Sequence, residues 1–321
     1  MTTAPAAKRS GVGRAQGEMR PHVALSASAK RPFEAVVKVM LRVAAGITIA
    51  ITLGIVVALI IPTIDFFREV SPIEFLFSTR WAPRFADASF GVIPLITATL
   101  WTTMIALLTA VPLGLGAAVF LSEYAKPRLR KVLKPILEIL AGVPTVVYGL
   151  FALEFVQTRF FRDLLDLQTG SFSVLAAGLV MGVMIVPTVA SLSEDAMSAV
   201  PNAMRQGSAA LGANRMQTSI RVVFPAALSG IVAAVVLGIS RAVGETMIVA
   251  IAAGGQARIV TGPLQQGQTM TGFIANAALG DSRVGSIEYN TLFAVGLLLF
   301  AITLLVNFIS IKFVRRFREV Y

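Results

Sequence analysis

The chain contains no cysteine and a single histidine, His22 in a polar stretch, which excludes disulfides, thiolate chemistry and a transition-metal site. Charge is scarce as well: 14% of the 321 residues are Asp, Glu, Lys or Arg. Acidic residues are the rarer sign, 17 against 28 basic. No Ser/His/Asp set and no pair of carboxylates with catalytic spacing can be assembled, so an enzyme acting in its own right is not expected. No Gly-x4-Gly-Lys-Ser/Thr run occurs, so no phosphate-binding loop for ATP is expected in the chain and no cofactor is expected to bind directly. What the chain has in quantity is apolar sequence. It is 56% hydrophobic, with mean hydropathy +0.78. A water-soluble surface built from this composition would expose apolar patches too large for a monomer.

Apolar runs of about twenty residues match the length a helix needs to cross a bilayer. Six such spans are expected, near 40–63, 92–121, 135–157, 173–193, 228–253 and 290–311. The fold class is therefore all-α, a polytopic membrane protein with six transmembrane helices. Lys and Arg sort by side: twenty lie in the tail to Arg42, the loops 122–134 and 194–227 and the end from Lys312, against seven in the alternate loops. The positive-inside rule then puts both termini and the 194–227 loop in the cytoplasm. The net charge of +11 is a topology signal, and nucleic acid is not expected as a partner. Residues 1–36, rich in Ala, Ser, Gly and scattered cations, read as a disordered cytoplasmic tail before a 37–318 membrane domain. Outward segments follow suit: 64–91 carries Trp81 and several Phe, as an interfacial cap would. Met270–Leu279 reads as a short helix on the membrane, a docking surface or a loop lid.

Two motifs dissolve on inspection. Gly114-Leu115-Gly116 loosely matches a dinucleotide fingerprint but sits inside a span with no strand before it. Gly178 and Gly182 form a small-xxx-small pair suited to close helix contact. Pro112, Pro144 and Pro187 interrupt apolar runs, which suits either a flexing pathway or kinked packing. Two constellations remain. A long polar insert, about 194–227, separates two spans. In it, nine residues lie between Gly212 and Val222-Val223-Phe224-Pro225. Glycine permits a left-handed turn between short helices, and proline favours the opening turn of the next. The other constellation is intramembrane charge. Arg241 and Glu245, four apart in the fifth span, would share a helix face and pair. Glu138 near the start of the third span would pair with Arg241, with an arginine of a partner, or near Lys134. Glu154 is expected to be solvated at the outer interface.

The loop spacing resembles the G-x9-I-x-L-P part of the coupling loop of ABC-importer permeases. Where that family has Glu-Ala-Ala, this chain has Gln206-Gly207-Ser208. Leu137-Glu138-Ile139-Leu140-Ala141-Gly142-Val143-Pro144 and its continuation to Gly149 are similar to the third-span signature of phosphate-specific permeases. Arg241-Ala242-Val243-Gly244-Glu245-Thr246-Met247 is similar to the PstC-type fifth span, whereas PstA-type subunits carry Gly-Glu-Thr-Ala-Pro. Phe120-Leu121-Ser122-Glu123-Tyr124 and Gln268 through Leu298 also match, so the resemblance covers roughly 70–310. It implies a type I importer permease of the bacterial inner membrane, half of a heterodimeric pore for inorganic phosphate. Its implied partners are a PstA-type permease, a PstB-type ATPase dimer that uses the ATP, and a PstS-type phosphate-binding protein, in a bed of membrane lipid. The implied pathway residues are Arg241, Glu245, Glu138 and Thr246. The implied ATPase contacts are Gln206, Gly207, Ala210, Leu211, Gly212, Ala213 and Pro225. The alternatives are a PstA-type subunit or a permease for sulfate or molybdate. From another class, a channel or ion-driven carrier would need no docking loop.

Overall fold

In a computed structural model, residues 32–167 and 170–316 are described. The tail expected over 1–36 lies outside them up to residue 31; from Pro32 the chain is already helical. The chain divides into two units, 1–52 and 53–321. Helix α1 (Pro32–Glu69) runs through the boundary. Within the first unit, its Thr48 and Thr52 hydroxyls donate to carbonyls four residues back, the usual way a helix in an apolar setting satisfies hydroxyls.

The second unit continues with α2 (Pro72–Phe77) and a two-stranded hairpin, β1 (Trp81–Ala82) and β2 (Ser89–Phe90), in which Trp81 pairs with Phe90. Helix α3 (Ile93–Val119) ends in a π-turn at Phe120–Tyr124. Next come α4 (Pro127–Ala141), α5 (Thr145–Leu150) with a π-helical continuation Phe151–Leu164, and α6 (Val174–Ser198). The polar insert forms α7 (Asn202–Ala210), α8 (Arg215–Thr218), a π-turn at Ser219–Val223 and α9 (Phe224–Ala226). The chain then enters α10 (Leu228–Gly244), α11 (Met247–Ala252), α12 (Met270–Ala278) and α13 (Ile287–Arg316).

Among the described residues, four helices are long and apolar enough to cross a membrane: Phe33–Glu69, Ile93–Tyr124, Val174–Ser198 and Ile287–Lys312. Two bent pairs bring the number to as many as six, counting each pair as one broken span. Pro127–Ala141 with Thr145–Leu164 turns by 86°, and Arg215–Ala226 with Leu228–Gly244 by 73°. The expected spans 135–157 and 228–253 are therefore not single straight helices. In the first, Gly142-Val143-Pro144 breaks the chain between α4 and α5. In the second, α10 stops at Gly244 and Glu245 turns extended, with ψ 132°.

The centre of the unit is α3 packed on α6. A Cβ on Gly178 would come within 2.7 Å of the Ile105 side chain, and one on Gly182 within 2.8 Å of the Ala106 carbonyl. Small residues thus let the two backbones approach, as the spacing suggested. Pro112 and Pro187 lie inside these two helices without ending them. Helix α6 opens on Ser173, whose hydroxyl accepts from the Ala176 N–H, and supplies buried Val180, Met181, Met184 and Ile185. A second cluster gathers Phe66, Phe75, Trp81, Phe90 and Phe273, with rings edge-on. Helix α12 belongs to it. The segment is a short helix, as one of the expected readings had it: Met270, Phe273 and Ala277 pack inward, while Asn276, Ala278 and Leu279 are exposed.

Candidate functional site

Two polar regions emerge, and the first is the insert after α6. Helix α7 ends in a Schellman motif: Ala213 N–H donates to the Ser208 carbonyl at 3.2 Å, and Gly212 N–H to Ala209 at 2.9 Å. The motif requires the left-handed conformation at Gly212, whose φ is +81°. Asn214 and Gln217 then close a capping box that starts α8. Sequence spacing had pointed to this turn, and the turn is there. Gln206, Gly207, Ala210 and Leu211 are exposed on it, Leu211 to 91%. Ala213 is half-buried. Pro225 sits in α9 before the 73° bend, not in the first turn of α10.

Side-chain pairings that the sequence did not foretell fix this insert to the body. Arg205 pairs with Glu123 at 2.9 Å and donates to the carbonyls of Val200 (2.6 Å) and Met197 (2.8 Å). Ser208 and Thr218 share a hydrogen bond at 2.9 Å across the turn. Beside them Glu194, fully buried, accepts from Arg130, from Lys134 at 2.8 Å and from Ser198 at 2.9 Å. Lys134 also reaches Asp195 at 2.5 Å. This cluster ties α4 to α6. Its only sequence signal was the concentration of charge at span ends, because its partners lie 60–68 residues apart.

The second region is the break between α10 and α11. Arg241 and Glu245 do not form the expected pair. Because the helix ends at Gly244, the two no longer share a helical face. The Arg241 Nη1 donates to Thr188 Oγ1 on α6 at 2.9 Å, and no ion pair of Arg241 occurs among the described residues. Glu245 is buried and caps α11: its Oε1 accepts from the N–H groups of Met247 (3.0 Å) and Ile248 (3.3 Å). A carboxylate facing a helix N-terminus is stabilised by the unsatisfied amides there. Thr246 lies in the break, its hydroxyl 3.3 Å from the Gly244 carbonyl. Thr271 on α12 donates to the Glu245 carbonyl at 2.7 Å. Glu138 is exposed on α4 and makes no ion pair among the described residues, while Lys134 turns away to α6. Glu154 is also exposed.

This architecture has relatives. Residues 110–319 match the binding-protein-dependent transport system inner membrane component family. The probable ABC transporter permease protein YqgH of Bacillus subtilis (strain 168) is 41% identical over 245 residues, 75% of this chain and 78% of that protein. The phosphate transport system permease protein PstC 1 of Mycobacterium tuberculosis (strain H37Rv) is 37% identical over 252 residues, 71% of this chain and 73% of that protein. A solved bacterial alginate ABC transporter, in complex with an alginate pentasaccharide-bound periplasmic protein, shares the fold with TM-score 0.63. Its identity is 15%, with 89% of this chain and 96% of that chain covered. The chain is thus a multi-pass membrane protein belonging to the binding-protein-dependent transport system inner membrane components, with PstC-type permeases among its kin.

Proposed function

We propose that the chain is the PstC-type membrane subunit of an ATP-driven inorganic phosphate importer and forms half of a heterodimeric pore with a PstA-type subunit. The observation that carries this reading is kinship with phosphate permeases named PstC over about seven tenths of the chain. The geometry supplies a mechanism. The exposed turn 206–213 offers a rigid, capped knob to a PstB-type ATPase dimer, which binds and hydrolyses the ATP. Arg205–Glu123 and the Glu194 cluster carry a push on that knob into α3, α4 and α6. A motor can bias the permease only if its ATP-bound and ATP-free forms grip the knob differently.

Along the pathway, Arg241 is the residue suited to phosphate. One nitrogen is held by Thr188, and the rest of the planar guanidinium is matched to oxyanion oxygens. Glu245 holds the break in shape, and Thr246 and Glu138 act beside the path. A PstS-type protein delivers phosphate from outside. In this reading both termini and the 194–227 insert are cytoplasmic, in a bacterial inner membrane.

The test is uptake by the reconstituted complex with its matched binding protein, comparing phosphate with sulfate and molybdate, with and without ATP. ATP-dependent import of phosphate in preference to the other two is expected. Preference for sulfate or molybdate would reassign the substrate. Arg241→Gln is expected to abolish uptake while leaving assembly with the ATPase intact; normal uptake in that variant removes Arg241 from the pathway.

A further inference from the structure

Opposite the 199–227 insert, a cavity of about 480 Å³ opens between the β1–β2 hairpin, the segment after α11 and α12. Its walls include Trp81, Phe273, Arg84, Arg258, Gln268 and Asn276, and no Asp or Glu lines it. We propose that this cavity is a binding site for an oxyanion, a holding place distinct from Arg241. The proposal rests on the phosphate-importer reading only for its choice of probe.

The cavity wall is supplied with hydrogen-bond donors. Gln268, 9% exposed, places its side chain in the cavity wall. Its backbone N–H is committed to the Gln256 carbonyl at 3.0 Å, so the side chain is held in the wall rather than drawn into the loop ladder. A buried donor without a partner costs the desolvation of its dipole, and native proteins rarely keep one without a reason. Trp81, in the same wall, has an indole N–H that is sealed from solvent and unpartnered.

The charge around the cavity has one sign. Arg84 is in no ion pair among the described residues, and Asp87, the acid nearest to it along the hairpin, is taken by Arg80 at 2.6 Å. Arg258, exposed, uses its Nε on the Gln266 carbonyl at 3.0 Å, which orients the guanidinium, and its terminal nitrogens have no partner among the described residues. Two guanidinium groups with amide donors and no carboxylate favour an anion that accepts several hydrogen bonds at once. The volume falls in the range of small-ligand sites and leaves room for an oxyanion with bound water.

The site is also connected. Helix α12 carries Phe273 and Asn276 on the cavity side, and its Thr271 bonds the Glu245 carbonyl at the α10–α11 break. An anion that draws Asn276 and Arg84 together would therefore bear on the backbone next to Arg241.

The experiment measures binding of radiolabelled inorganic phosphate to the complete permease–ATPase complex in lipid nanodiscs without the external binding protein. Saturable binding is expected in wild type. Arg84→Gln combined with Arg258→Gln should weaken it about tenfold or more, since each loses a charge-assisted bond. Gln268→Leu, which keeps the shape of the wall, should weaken it about threefold. Unchanged binding in the double variant would overturn the proposal, as would no binding to a wild-type complex that does import phosphate. So would unchanged phosphate binding with weakened capture of the external protein, which would make the cavity a protein docking face. If the complex imports sulfate and not phosphate, the functional reading fails separately, and the same titration with sulfate decides the cavity.

Discussion

At the insert end of the molecule, Glu194 and Glu123 are enclosed by Arg130, Lys134 and Arg205. At the far end, Arg84, Arg258 and Gln268 face a cavity without a carboxylate. The first arrangement is complete within the chain. Removing any member leaves an uncompensated charge, so the elements it joins are held in one relation. The second arrangement is incomplete, with donors in excess of acceptors. Glu194 is buried and matched, whereas Arg84 and Arg258 are exposed and form no ion pair among the described residues: the first arrangement fastens helices, and the second leaves donors open to something from outside.

The sharpest way to break the comparison is Glu194→Ala. It leaves Arg130 and Lys134 facing each other across a buried void. The expected loss is about 2–3 kcal/mol, below the full range for a buried pair because both cations keep some contact with water. Thermal unfolding in detergent would read it, and a Glu194→Ala protein with unshifted melting would show that the cluster fastens nothing. Next comes the middle of the bundle. Gly182→Val puts atoms where Thr109 and the Ala106 carbonyl already stand and should cost about 2 kcal/mol by overpacking. If α3 and α6 join the two ends, this variant should also alter phosphate binding at the far cavity, whereas Glu194→Ala should alter mainly ATPase assembly. The smallest effect on stability belongs to Gly212→Val. The site is open, with nothing within 4 Å, so only the left-handed backbone resists a side chain, at about 1 kcal/mol. Its expected consequence is hydrolysis uncoupled from uptake in the reconstituted complex; wild-type coupling would mean the shape of the turn is not what the motor reads.

Much of this was legible in the residues. The polar insert, its turn at Gly212 and the close contact at Gly178 and Gly182 all follow from local rules that need no knowledge of the rest of the chain. The breaks at Gly142–Pro144 and Gly244–Thr246 were less so. Apolar character continues through both, and a hydropathy window does not register where a backbone stops being helical. Treating Arg241 and Glu245 as i,i+4 neighbours assumed an unbroken helix, and the glycine between them was the warning. The Glu194 cluster was illegible for another reason. Arg130 and Glu194 are 64 residues apart, and nothing local to either says that α4 folds back along α6. Helix α12 was foreseen as one of several readings, and its inward face was not, because an apolar decapeptide reads the same whether it lies on a membrane or packs into its own protein.

The two tryptophans of the chain, Trp81 and Trp101, both belong to the far end. Trp81 lines the cavity, and the Trp101 indole donates to the Val260 carbonyl at 3.0 Å, holding the segment after α11 against α3. Intrinsic fluorescence from this subunit is therefore a local signal. Emission responds to filling of the cavity or lifting of the Val260 segment and is dark to events at the insert. A stopped-flow trace on a complex whose other subunits lack tryptophan would time the arrival of an anion separately from the stroke of the motor.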